Sequence, residues 1–295
     1  MPDSQRTSQK DIAALAKGGR TNFLGFILRL VARIPFLFIA SRLYGAAAMG
    51  RFASALVMVE FAGMLATLGQ KRGLAQRLAE GEEHPANVVG DAVLLALGLA
   101  LGMAALIYAF PQSMYPAGNF TFADLLLVLA IPGLALGDLA LAALAYRFDV
   151  ATTVRARSVV EPWTISIAAG AFFFLWPASG LSLAYLASVW AATGVALFVL
   201  VRTYGLPRGW KPHPVLLWQI ARRNIPLAGA DAVEWGTRKL DVFILRFFVG
   251  EATVGIYYFA QQIASLPQKL KTSFEPVLGP VITRSIKDRD YAAIA

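Results

Sequence analysis

Two arginines, Arg29 and Arg33, interrupt an otherwise apolar run from Asn22 to Ala40. Spaced four apart, they share one face of a helix. A guanidinium stays charged at any working pH, and its rigid fork of donors suits an oxyanion. A second constellation, Asp231, Glu234, Arg238 and Asp241, also selects one helical face, with Lys239 beside it. Glu60, Asp138 and Glu161 stand in further apolar stretches. This is the chemistry of anion binding, ion pairing, or proton or cation transfer. The chain has no cysteine, and His84 and His213 fall in polar connecting segments, so zinc and haem lack their usual ligands. There is no Walker motif or nucleotide fingerprint, and no cofactor is expected.

The elements that must carry these residues are membrane helices. Of 295 residues, 57% are hydrophobic and 15% charged, whereas about a quarter are charged in soluble domains. Apolar runs at 22–43, 50–70, 89–110, 122–146, 158–176, 182–201, 224–249 and 252–282 predict about eight spans. They are too long for strands and lack period-2 alternation, so the fold class is an all-α polytopic membrane protein. A cation at that depth costs several kcal/mol unless it faces protein, water or an anion. The first span therefore predicts an internal polar cavity suited to a negatively charged group.

Charge distribution sets the orientation. Eighteen of the 27 Lys and Arg fall in one set of loops and three, Arg42, Arg51 and Arg246, in the opposite set. The positive-inside rule makes the N-terminus cytoplasmic, and the same pattern explains the net charge of +9 without nucleic acid. Residues 1–21 form a polar cytoplasmic segment without the apolar core of a signal peptide.

Residues 22–201 form an N-terminal lobe of six spans. Residues 202–223, with Pro207, Pro212 and Pro214, read as a cytoplasmic linker that includes a candidate interfacial helix at 215–223. Residues 224–295 then restart the pattern with two spans. Gly45…Gly50-Arg-Phe52-Ala-Ser-Ala55 and Gly250…Gly255-Ile-Tyr257-Tyr-Phe-Ala260 share the form G-x4-G-x-aromatic-x-x-A. Coincidence among Gly and Ala is the alternative to an internal repeat, and repeated halves are common in transporters. Two spans against six read as a chain cut short at its C-terminus.

Gly19-Arg-Thr-Asn22, the basic first span, Arg42-Leu-Tyr-Gly45…Gly50-Arg-Phe52, and Leu68-Gly69-Gln-Lys-Arg-Gly73-Leu carry a resemblance. The chain resembles a polysaccharide (O-antigen type) flippase of the multidrug/oligosaccharidyl-lipid/polysaccharide exporter superfamily. That resemblance implies a MATE-like fold of two six-helix lobes around a central cationic cavity. It also implies export of lipid-diphosphate-linked oligosaccharide across the bacterial inner membrane by alternating access. The partners implied are polyprenyl diphosphate-linked saccharide, membrane lipids, H+ or Na+ as coupling ion, and polysaccharide assembly proteins. Alternatives are a peptidoglycan-precursor flippase, a cation-coupled drug exporter, and a membrane glycosyltransferase or ligase; the last usually carries a large outer catalytic loop.

Within that frame Arg29, Arg33 and Arg238 are candidates for the diphosphate, against a reading as structural pairs neutralised by neighbouring acids. Asp231, Glu234, Asp241, Lys239 and Glu60 are candidates for cavity lining or ion coupling, or form an ion-pair ladder. Glu60 is expected to pair with Arg29 or Arg33, or to carry a proton. Trp235, Gln261 and Gln262 are candidate sugar contacts. Lys269, Lys271 and Glu275 either line the cavity or lie beyond the last span. No residue is assigned to catalysis.

Overall fold

The computed structural model describes residue 31 and residues 34–81 and 84–265. Arg29, Arg33, Lys269, Lys271 and Glu275 lie outside the described residues. By its contacts the chain divides into two units, residues 1–31 with 260–295 and residues 32–259. In the first unit, Gln261 and Gln262 sit near the end of a helix, where their carbonyls accept the Ser265 backbone N–H and hydroxyl at 2.9 Å each.

Regular structure among the described residues is helical throughout. Helix α1 covers 34–44 and ends in a π-helical turn, Ala40–Tyr44. Then come α2 (Gly45–Thr67), α3 (Gln70–Glu80) and α4 (Pro85–Ala109). Next are α5 (Phe122–Tyr146), α6 (Val150–Leu175) and α7 (Gly180–Tyr204), followed by α8 (Pro214–Leu245) and α9 (Glu251–Ala264). Five stretches, Ile34–Glu80, α4, α5, α6 and α7, are long and apolar enough to cross a membrane. α8 carries seven charged residues and does not rank with them by composition. Residues 215–223, expected as a separate interfacial helix, are the opening turns of α8, which starts at Pro214 and runs through Pro226. A proline at the first helical position gives up only an N–H that has no intrahelical partner anyway, so Pro214 marks a start rather than a break.

Small residues bring the helices together. In α4, Ala92, Ala96, Ala100 and Ala104 recur every fourth residue and are all buried. Polar side chains then bond across the helices. The Thr193 hydroxyl donates to the Gly133 carbonyl at 2.7 Å, the Tyr204 hydroxyl to that of Ala143 at 2.6 Å, and the Trp190 indole to that of Leu129 at 3.0 Å. Close small-residue packing and interhelical hydrogen bonds replace the hydrophobic drive that lipid does not supply. The connection 110–121 contains one short 3-10 turn, Pro111–Ser113, and ends in a capping box in which Thr121 and Asp124 satisfy each other's backbone N–H. Asp124 is buried and accepts the Ser182 hydroxyl at 2.9 Å. Burial pushes the nearby Tyr115 phenol up, and the Asp124 charge adds to that shift.

α8 runs along α3 and α2 in the opposite sense. Leu68 and Gly69 both adopt left-handed backbone, which ends α2 and restarts the chain as α3. A Cβ at Gly69 would sit 2.6 Å from the Ala228 nitrogen, and one at Gly73 would overlap the Asn224 side chain. This G-x-x-x-G pair thus lets α3 lie directly on α8. Further along, Arg246 is buried between the Phe243 and Phe247 rings and donates to the Ser54 carbonyl at 2.8 Å. At the far end the two copies of the repeated motif meet. A Cβ on Gly50 would overlap the Glu251 carbonyl, and a Cβ on Gly255 would overlap the Ala46 carbonyl. The second glycine of each motif faces the residue that follows the first glycine of the other. The two motifs thus meet reciprocally at one backbone crossing.

Gly50→Ala therefore forces backbone apart and is expected to destabilise the protein by about 1–3 kcal/mol. Gly98→Ala, where a Cβ meets nothing within 4 Å, is expected to be neutral or mildly stabilising. Thermal unfolding in detergent checks both, and equal melting temperatures for the two variants would contradict the close crossing.

Candidate functional site

Asp231, Glu234 and Arg238 share one face of α8 because their spacings of three and four follow the helical period. Helices α2, α3, α5, α6 and α7 supply the opposing walls of a cavity of about 320 Å³. A water needs roughly 10–15 Å³ on this measure, so this polar space has room for water. Glu60 and Met64 reach it from α2 and Lys71 from α3. Asp138 comes from α5, Arg157 and Glu161 from α6, and Tyr185 from α7.

The walls are held by two sets of ion pairs. In the first, Asp138 accepts from Lys71 at 3.2 Å and from Arg157, whose other terminal nitrogen donates to Glu161 at 2.6 Å. Arg157 lies on a π-helical stretch, Arg155–Val160. Pro162 has no N–H for the Ser158 carbonyl four residues earlier, and the helix widens to i→i+5 just before it. In the second set, Arg72 binds Asp231 through Nε at 3.0 Å and Glu234 through a terminal nitrogen at 2.9 Å. Arg238 donates to the other oxygen of Glu234 at 2.9 Å. Lys239 pairs with Glu60 at 3.1 Å. One oxygen of Asp231 is buried without a hydrogen-bond partner.

The described lining therefore holds five carboxylates (Glu60, Asp138, Glu161, Asp231 and Glu234) and three cations (Lys71, Arg157 and Arg238). Arg72 and Lys239, just behind it, bring the two signs to balance. Among the described residues the cavity is thus polar and charge-paired rather than cationic.

The structure sorts the expected site residues. Glu60, Asp231, Glu234, Trp235 and Arg238 converge on the cavity. Glu60, expected opposite Arg29 or Arg33, has Lys239 as its described partner. Asp241 continues the stripe beyond the cavity, where its carboxylate accepts the Tyr257 hydroxyl and the Val242 N–H at 2.7 and 2.8 Å. Trp235 stands in the wall with its ring 4.6 Å from that of Phe61 and its buried indole N–H without a hydrogen-bond partner. Gln261 and Gln262 belong to the other unit. Lys71, Arg72 and Arg157, just outside the apolar runs 50–70 and 158–176, are wall and ion-pair residues. The i,i+4 spacing of Arg157 and Glu161 was their one visible sign.

Comparisons with known proteins agree with this architecture. The model of the polysaccharide biosynthesis protein family matches residues 16–286. Among solved structures, the MATE multidrug transporter DinF-BH in complex with R6G is similar over 90% of this chain and 64% of its own, with a TM-score of 0.59 and 17% identity. The chain thus spans less than two thirds of that transporter's length, and at this identity the likeness shows the fold. No curated protein matched the sequence.

Because Asp138 neutralises two cations at once, Asp138→Asn is expected to lower stability by about 2 kcal/mol, below the full cost of breaking a buried pair since the site has room for water. Glu80→Gln, which removes the exposed pair with Arg223, is expected to leave the melting temperature unchanged. Unfolding curves in detergent distinguish them, and an unchanged Asp138→Asn would contradict the ion-pair assignment.

Proposed function

The chain belongs to the polysaccharide biosynthesis protein family, and on that premise we propose that it acts in a flippase. This flippase moves lipid-diphosphate-linked oligosaccharide across the bacterial inner membrane for surface polysaccharide synthesis, with the N-terminus cytoplasmic. The observation that carries the reading is a cavity with paired charges and room for water, walled on most sides by helices apolar enough to span a membrane. A saccharide headgroup finds donors and acceptors there, and the lipid tail stays outside in the bilayer. Arg238 and the first-span pair Arg29 and Arg33 bind the diphosphate, since bidentate guanidinium contacts suit its oxygens. Trp235, in the cavity wall, offers an aromatic surface to a sugar. The cavity is exposed to the two sides in alternation as the repeated units rock about it.

A second reading, a cation-coupled multidrug exporter, is favoured by the excess of carboxylates over cations in the described lining. It is also in line with the R6G complex of the structural neighbour. Expression that lowers R6G accumulation in cells would select this reading.

Replacing Arg29, Arg33 and Arg238 together by Ala is expected to cut surface polysaccharide at least tenfold, since each charge-assisted contact is worth about 1.5–3 kcal/mol. Polysaccharide blots at matched membrane protein levels measure this, and unchanged polysaccharide would sink the flippase reading. Orientation is tested separately, because the sequence holds no cysteine to interfere. An impermeant thiol reagent applied to intact cells is expected to label Asn119→Cys, and to label Lys211→Cys only after permeabilisation. The reverse pattern would invert the topology.

A further inference from the structure

We propose that Glu234 is the displaceable occupant of an anion site formed by Arg72 and Arg238, and that the substrate's diphosphate exchanges with it. The inference rests on the flippase reading above and adds Arg72 to the binding residues.

Each oxygen of the Glu234 carboxylate receives one guanidinium, Oε2 that of Arg72 and Oε1 that of Arg238, both at 2.9 Å. Two cations from different helices, α3 and α8, thus converge on a single anion in the cavity wall. Two forks aimed at one pair of oxygens are what a phosphate requires. The two acids of this cluster are unequally held. Asp231 is 8% exposed and grips Arg72 through Nε at 3.0 Å. It fixes the Arg72 side chain and leaves the terminal nitrogens pointing onward. The Glu234 side chain is half exposed, so it swings into the cavity without being desolvated.

The exchange follows from charge balance. With Glu234 in place the cluster of Arg72, Arg238, Asp231 and Glu234 is neutral. A diphosphate that merely joined it would face an adjacent carboxylate, whereas one that replaces Glu234 meets two guanidiniums with more charge and more acceptor oxygens. Departure of Glu234 also removes one of the links between α3 and α8. Binding and helix release are thereby coupled at one residue, and Asp231 keeps Arg72 in position throughout. Arg72 acts as a ligand, and Asp231 acts as a positioning residue through it.

The test is binding of polyprenyl diphosphate to the purified protein in detergent, with polyprenol as the control that lacks the headgroup. Glu234→Gln keeps the shape and removes the competing charge, and is expected to bind about tenfold more tightly than the wild type. Arg72→Gln is expected to bind about tenfold more weakly. Thermal unfolding verifies that the variants are folded. Should Glu234→Gln not fold, Glu234→Asp, too short to hold both guanidiniums, is expected to bind more tightly instead. If the wild type binds while Glu234→Gln binds equally or less well, the exchange is overturned and the flippase reading stands. If the wild type does not bind polyprenyl diphosphate, the exchange and the reading fall together.

Discussion

A charge placed among apolar helices must be answered by an opposite charge, by water or by a ligand, because left alone it costs several kcal/mol. The arrangement of helices around the cavity follows from that requirement. α8 carries too many ionisable groups to face lipid along its polar stripe. It lies instead against α2 and α3, whose Glu60, Arg72 and Glu80 meet Lys239, Asp231 with Glu234, and Arg223 in turn. The order of pairs runs down one helical stretch as it runs up the other, which is what an antiparallel contact demands. Glycines at 69 and 73 at one level, and at 50 and 255 at another, bring the backbones near enough for these side chains to reach.

The same requirement accounts for the cavity's other wall. Asp138, Arg157, Lys71 and Glu161 join α3, α5 and α6 in one cluster. The two clusters line the same cavity, one built within the first six spans and the other spanning the α3–α8 contact. Such a site presents ready-made donors and acceptors yet carries little net charge of its own, so an incoming anion competes with carboxylates already in place.

Much of the helical architecture was legible in the sequence, because long apolar runs leave few alternatives. The run 122–146 matches α5 residue for residue, bounded by the Thr121 cap. The polar stripe of α8 was legible for a similar reason, since spacings of three and four select a face whatever that face meets. Partners were not legible. Which helix lies opposite Glu60 depends on interhelical packing, and no spacing within one chain segment reports it. Arg72 and Arg157 were hidden for a different reason. A basic residue just beyond an apolar run serves membrane orientation as readily as it serves a cavity, and composition does not separate the two roles. The start of α8 was masked by Pro212 and Pro214, which read as loop punctuation although a proline opens a helix equally well.

The crossing of Gly50 and Gly255 resembles the isologous interface of a symmetric dimer, folded into one chain. What each glycine approaches is a main-chain carbonyl and not a side chain. A larger residue at either position consequently has no neighbouring side chain that a second mutation can trim to make room. Genetic suppressors of such a change should then map to positions that shift a whole helix, and not to the residues in contact.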